Sequence, residues 1–444
     1  MEELRFMFKK LSRAALGAAV PHEKGTAGMQ TVKMPVPSKI VLAMQQHIGA
    51  PCTPVVKKGD HVDVGTLVGK APSFVSANIY SGVSGTVSAL DTLRYPNGAS
   101  VQTVVIQPDG EQTVDPAVKK PEVTDYASFI QVVQNCGLVG LGGAGFPTAV
   151  KLSPKNLDQI DTLVINGAEC EPYLTADNRE FLENSEEVLA GIRAVMQYLN
   201  IGRCLIGIER NKPEAMDKMF SLTKSDSNIK VAPLPSRYPQ GAEKVLIEKT
   251  TGREVPRGGL PADVGVIVLN VTTVATIGKF LATGMPLTTK RLTVEGDAIA
   301  KPQNVEVIIG TPLQEVIDFC GGTKVEARKV ITGGPMMGTA QVSTDFPVLK
   351  QNNGLLVLGD KSAHIPDPQP CIRCGRCISA CPMGLSPVEI AGAFNKKNVE
   401  ALDDMMVDLC IACGTCSYVC PAKRPVTQTM ALAKDYLKRK GGGK

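Results

Sequence analysis

Eight of the chain's 13 cysteines fall within residues 371–420. Cys371, Cys374, Cys377 and Cys381 follow the spacing C-x2-C-x2-C-x3-C-P, and Cys410, Cys413, Cys416 and Cys420 repeat it. That pattern is the one used to hold two [4Fe–4S] clusters. Three thiolates from a tight turn cap three corners of a cubane, and the fourth, followed by proline, reaches the other cluster. The quartets are therefore Cys371, Cys374, Cys377 and Cys420, and Cys410, Cys413, Cys416 and Cys381. Zinc would need four ligands per ion and no third cysteine two residues on, and disulfides would need an oxidising compartment. Two adjacent clusters suit the passage of single electrons. Gly375 and Gly414 sit inside the loops, where the backbone must pass close to the inorganic core. Arg373, Arg376, Lys423 and Arg424 lie beside the ligands, either tuning potentials and attracting an acidic carrier or forming ordinary solvated surface. The other cysteines (Cys52, Cys136, Cys170, Cys204, Cys320) are scattered and read as small buried apolar groups.

A second chemical segment is residues 137–151, GLVGLGGAGFPTAVK. Its glycines let backbone N–H groups approach a phosphate or a flat ring, and a helix beginning near Pro147 would add its positive end. A short apolar strand follows at 161–165 and ends in Asn166-Gly167-Ala168-Glu169-Cys170-Glu171-Pro172. Polar residues just past the C-terminal end of a parallel strand are where α/β folds bind ligands. In extended chain Glu169 and Glu171 would face one side; a solvated acidic loop is the alternative. Further strands are expected at 203–208, 229–233 and 264–269, with helices at 129–133, 179–199, 214–223 and 241–250. That alternation implies an α/β layer with a partly parallel sheet.

These two segments together resemble the flavin- and NADH-binding subunit of respiratory complex I. Residues 238–243 (YPQGAE) and 269–273 (LNVTT) stand where that family places its next flavin-site segments. Joined to the cysteine module, the whole chain is similar to the C subunit of the Rnf ion-translocating ferredoxin:NAD oxidoreductase. The resemblance implies that Gly140, Gly142, Gly143, Ala144 and Gly145 wrap FMN and that Lys151 reaches the flavin or its phosphate. It places Asn166 at the isoalloxazine edge, Glu169 and Glu171 on the nicotinamide side, and Asn270 and Thr273 at the phosphate end, with Tyr238 and Glu243 completing the site. Ala168, Ala242 and Leu141 depart from the complex I pattern, which has an acidic residue, a glutamate and an arginine there.

The flanking segments complete a multidomain α/β and α+β chain. Residues 56–70 and 78–90 resemble a lipoyl- or biotinyl-type barrel-sandwich domain, with Phe74 near the place of the modified lysine, so the scaffold is expected without a swinging arm. His22, His47 and His61 read as ordinary surface or core histidines. Residues near 286–344 resemble a soluble ligand-binding β-grasp domain, with Met336 and Met337 packing against a neighbouring domain. Residues 359–370 read as a Pro-rich linker. The expected divisions are an N-terminal segment at 1–34, the barrel-sandwich domain at 35–115, the FMN/NADH-binding domain at 116–285 and the β-grasp domain at 286–350. The two-[4Fe–4S] ferredoxin-like domain follows at 360–430 and a basic tail at 431–444.

A net charge of +5, with no aromatic-interleaved basic patch, argues against nucleic acid. The first twenty residues are a poor signal peptide, and the longest apolar run, 264–275, is broken by Asn270, Thr272 and Thr273. The resemblance implies a peripheral subunit on the cytoplasmic side of the cell membrane, partnered by membrane subunits and by ferredoxin or a ferredoxin-like subunit. It would pass electrons between NAD(H) and ferredoxin through FMN and both clusters. Two other readings stay open from sequence: a flavo-iron–sulfur cobalamin reductase, and a flavin-free electron wire or scaffold.

Overall fold

The computed structural model describes residues 16–441. The expectations for the first 15 residues and for the last three residues of the tail lie outside it.

Residues 40–108 form two small antiparallel sheets. One runs in the order Ile40–Ala43, Ser100–Pro108, Gly85–Arg94, His61–Val62, and the other in the order Thr53–Pro54, Leu67–Lys70, Ile79–Tyr80. Short alternating strands bury Ile40, Leu42, Val68, Ile79, Val104 and Ile106 between the sheets. Phe74 is half-exposed in the irregular stretch between the last two strands. His47, a core histidine, packs where this sandwich meets the glycine-rich loop, and the Ile48 amide donates to the Gly145 carbonyl at 3.1 Å.

The second layer is a four-stranded sheet, Ile229–Leu234, Arg203–Glu209, Thr162–Gly167, Val266–Asn270. All of its pairings are parallel, beyond the partly parallel arrangement expected. Its central strands are continuous apolar runs, as burial on both faces requires. The expected single helix at 179–199 is two, Ala176–Glu183 and Ser185–Leu199, parted at Asn184. Helix Ser185–Leu199 lies against Val271–Thr283 with glycine at the crossing. A Cβ on Gly191 would stand 1.9 Å from the Val274 carbonyl oxygen, and one on Gly278 would stand 2.2 Å from that of Glu187.

The third unit is a six-stranded sheet in the order Val32–Lys33, Gln303–Ile308, Thr289–Glu295, Gly354–Leu358, Lys329–Thr332, Thr339–Ala340, with helix Leu313–Phe319. It extends past the expected edge at residue 350, because the wholly buried strand Gly354–Leu358 is one of its central members. Last come the two cysteine loops, among helices Pro387–Asn395, Val399–Asp404 and Val426–Lys440. Residues 431–440, expected as a tail, continue that final helix, which buries Met430 and Ala433.

Residues 16–33 strap the units together. The Gly17 amide donates to the Ala380 carbonyl at 3.1 Å, Ala18 bridges to Tyr238, and Val32 pairs with Val305. Asn304 donates its carboxamide to the Thr26 carbonyl at 2.9 Å.

Gly191→Ala forces the two helices apart, so it should cost about 1–3 kcal/mol and lower the Tm by several degrees in calorimetry. A second outcome concerns acid. Burial, with the Lys350 ammonium nearby, pushes the His47 imidazole from 6.5 down to about 4. Below pH 6.5 the unfolded chain therefore binds the extra proton first, and stability falls with pH. The loss attributable to His47 should reach about 2 kcal/mol by about pH 5, and His47→Gln should flatten that acid limb in denaturant titrations.

Candidate functional site

The glycine-rich loop sits over the C-terminal edge of the parallel sheet. Helix Tyr126–Asn135 leads into it and the short helix Thr148–Lys151 leaves it. Gly142, Gly143 and Ala144 are exposed at its tip, while Leu141 and Gly145 are buried. Its position is fixed from below. The Leu141 amide donates to Thr273 Oγ1 at 3.0 Å, and Lys290 Nζ donates to the Leu141 carbonyl at 2.8 Å. A Cβ on Gly142 would lie 2.3 Å from Asn270 Nδ2, so only glycine allows this approach.

Asn270 is the N-cap of helix Val271–Thr283, its Oδ1 accepting from the Thr272 amide at 2.9 Å, while its Nδ2 donates to Asp177 at 2.7 Å. Asn166 donates to the Gly241 carbonyl at 2.8 Å, and Lys151 pairs with Glu243 at 2.5 Å. The structure therefore brings Gly140–Gly145, Lys151, Asn166, Glu243, Asn270 and Thr273 around one edge of the sheet. It also gives Asn270 and Thr273 a different immediate task, holding the loop and the helix that frame this edge.

The two glutamates do not share a side. Glu169 has φ of 46°, so the segment is not extended there. Its carboxylate turns to the N-terminus of helix Ala176–Glu183, accepting from the Asp177 and Asn178 amides at 2.7 and 3.2 Å. Glu171 points the other way and accepts from the Met336 and Met337 amides at 3.0 and 2.9 Å. Burial pushes both carboxyls above the ordinary range, with Lys24 opposing the rise at Glu169.

Two lysines missed in the sequence hold the backbone between them. Lys24 donates to the carbonyls of Glu169, Glu171 and Leu174, and burial lowers it to about 8. Lys212 donates to the Ala168 carbonyl at 2.6 Å and pairs with the buried Glu209 at 3.6 Å. A lone lysine in an irregular segment carries no local signal of such a role.

Tyr238 lies on the far side of this loop, 1% exposed, in an apolar cluster with Ala18, Val20, Cys413, Met336 and Cys170. The Gly241 amide donates to Cys170 Sγ at 3.3 Å. The segment 238–241 thus touches Asn166 at one end and a cluster cysteine at the other.

Cys381, Cys410, Cys413 and Cys416 line one cavity with Leu385 and Met430, the quartet expected from the spacing. Cys374 and Cys420 line a second, open recess with Arg376, Tyr418 and Lys423, and Cys377 lies close to both cysteines. Cys371 is exposed. Burial pushes the Cys377, Cys381, Cys410 and Cys416 thiols up, Cys416 to about 11. Iron must displace those protons to bind thiolate. Four sulfurs around one apolar-walled cavity fit a cubane there. The exposed glycine backbone, the Lys151 cation and the amides of the sheet edge fit a flavin nucleotide.

These features define a multidomain flavin and iron–sulfur protein, and comparison with known proteins agrees domain by domain. Residues 13–111 match the RnfC barrel sandwich hybrid domain, and residues 133–279 match the Nuo51 FMN-binding domain. Residues 291–340 match the SLBB domain, and residues 363–430 match the 4Fe-4S dicluster domain. The chain is 46% identical over 366 residues, 82% of each chain, to the C subunit of the Na(+)-translocating ferredoxin:NAD(+) oxidoreductase complex of Acetobacterium woodii. It is 46% identical to the proton-translocating counterpart of Clostridium ljungdahlii, over 82% of this chain and 80% of that one. The C subunit of the ion-translocating oxidoreductase complex of Rhodobacter capsulatus is 39% identical over 94% of this chain and 81% of its own. The chain belongs to the family of C subunits of the ion-translocating ferredoxin:NAD(+) oxidoreductase complexes. An NAD+-reducing [NiFe]-hydrogenase shares the fold at TM-score 0.50 and 18% identity, over 71% of this chain and 63% of that one. The FMN-binding match sets aside the flavin-free alternative.

Gly142→Ala drives a methyl group into Asn270, so the loop must lift from the sheet edge. Purified variant protein should retain its iron and lose most of its flavin, read by absorbance after acid release.

Proposed function

We propose that the chain is the peripheral electron-transfer subunit of a membrane-bound, ion-translocating complex, working on the cytoplasmic side between NAD(H) and a ferredoxin-type carrier. The observation that carries this reading is the contact of the Cys413 loop with Tyr238 and Cys170, which puts one cluster site against the flavin domain. When bound, FMN exchanges electron pairs with NAD(H) and single electrons with the clusters, a conversion that no side chain supplies.

The residues around it bind and orient. Gly140, Gly142, Gly143, Ala144 and Gly145 offer backbone to the flavin, and Lys151 offers its cation to the phosphate. Asn166, Asn270 and Thr273 hold the loop, the helix start and segment 238–243 in register beneath it. The quartet Cys381, Cys410, Cys413 and Cys416 then lies on the inner side of the cluster domain. Cys374 and Cys420 of the other quartet line an open recess beside Arg376 and Lys423, and Cys371 is exposed. Outward exposure beside cations suits exchange with an acidic one-electron protein. The other subunits of the complex are its partners, membrane subunits among them. Among the described residues no helix is long and apolar enough to cross a membrane. The relatives named for Na+ and for proton translocation are equally similar, at 46%, which fits an ion path lying in other subunits.

Anaerobically purified protein should contain about eight irons in two clusters and one flavin per chain. NADH should bleach the flavin and elicit cluster EPR signals, and Cys416→Ser should halve the iron. A colourless anaerobic preparation, or zinc in place of iron, would overturn the reading.

A further inference from the structure

We propose that Glu171 is a positioning residue for electron transfer: its carboxylate clamps the β-grasp turn at 334–338 onto the inner cluster loop. The β-grasp domain then acts as the spacer that fixes this cluster against the flavin domain. The inference rests on the functional reading above only for what the spacing serves; the clamp itself is in the geometry.

Each carboxylate oxygen of Glu171 takes one amide, Oε2 from Met336 at 3.0 Å and Oε1 from Met337 at 2.9 Å. The turn is shaped to receive it. A Cβ on Gly334 would stand 2.3 Å from Glu171 Oε2, and the Gly338 amide closes the turn on the Gly334 carbonyl at 2.9 Å. On its outer side the same turn meets the cysteine loop. A Cβ on Gly414 would lie 3.0 Å from the Met336 carbonyl oxygen, and Gly414 has φ of 84°. The Met336 side chain joins Tyr238 and Cys413 in the apolar cluster that seals the junction. One buried carboxylate on the flavin domain thus fixes a turn of a second domain, which fixes a metal-binding loop of a third. Glu171 engages the turn through both carboxylate oxygens, which places it in the joint between domains. Tunnelling between centres held by separate domains requires their spacing to be fixed, and a charge-assisted pair of hydrogen bonds fixes it more firmly than apolar contact alone.

Hydrogen exchange on the anaerobic holoprotein tests this with Glu171→Ala, Glu171→Gln and Gly334→Ala. Losing two charge-assisted bonds should speed exchange at 334–338 and at 410–416 by at least about tenfold in Glu171→Ala. Gly334→Ala, which leaves Glu171 intact, should reproduce the effect, and Glu171→Gln should fall between wild type and Glu171→Ala. Iron release to a chelator should quicken for one cluster of the two, seen as selective loss of one EPR signal. Flavin content and the KM for NADH should stay within about twofold while electron delivery to the clusters slows, a split that tracks loss of the joint. Unchanged exchange at 410–416 together with a tenfold rise in KM would overturn the proposal and return Glu171 to the nucleotide site. Wild-type protein without flavin would instead sink the functional reading, and the exchange result would still decide the clamp.

Discussion

The carbonyls at the end of strand Thr162–Gly167 must find donors where little water reaches, and the rest of the molecule is arranged around that need. Residues 168–172 leave the sheet in an irregular path, with φ of 46° at Glu169, so no ladder satisfies their backbone. Two buried ammonium groups do so, Lys24 from the N-terminal strap and Lys212 from the loop after a neighbouring strand. Burying Lys24 costs desolvation, visible in its being pushed down to about 8, and the three carbonyls it reaches offset that cost. Once this backbone is fixed, its side chains radiate to different elements: Asn166 to Gly241 and Glu169 to a helix start within the same domain, and Glu171 to the β-grasp turn. The loop is less a wall of one site than the hub on which several units are registered.

The two cysteine motifs have the same spacing and unlike surroundings. Ile372, in the first, is 69% exposed, whereas Ile411, at the same place in the second, packs into the cluster around Tyr238. The repeat encodes ligand geometry, and packing against the other domains gives the two halves their direction. Arg257 adds to this by pairing with Asp403 and Asp408 across the domain boundary, at 2.5 and 2.8 Å. These exposed ion pairs are worth little energy and serve orientation.

What could be read from sequence was local chemistry at fixed spacing. The cysteine quartets, the glycine-rich loop and the strands of the parallel sheet each announce themselves within a few residues, through ligand count, backbone freedom or unbroken apolar runs. The sense of the glutamates could not be read that way. Their alternation implied a shared face only for extended chain, and the left-handed turn at Glu169 removed that condition. The partners of Glu171 and Lys24 lie 165 and 145 residues away, respectively, beyond any local pattern. The break at Asn184 and the strand Gly354–Leu358 were hidden for a related reason, since burial by distant segments decides them and local propensity does not.

The strap at residues 16–33 has a further consequence, for how the molecule is made. Its partners are spread far along the chain, since Gly17 needs Ala380, Ala18 needs Tyr238 and Val32 needs Val305. Its contacts can therefore form only in stages, Lys24 closing on the 169–174 carbonyls well before Gly17 can reach Ala380. The Gly17 contact is consequently a late, long-range event, and it coincides with arrival of the segment that receives the metal. Nascent chains cut short before residue 380 would lack the carbonyl on which Gly17 finally rests.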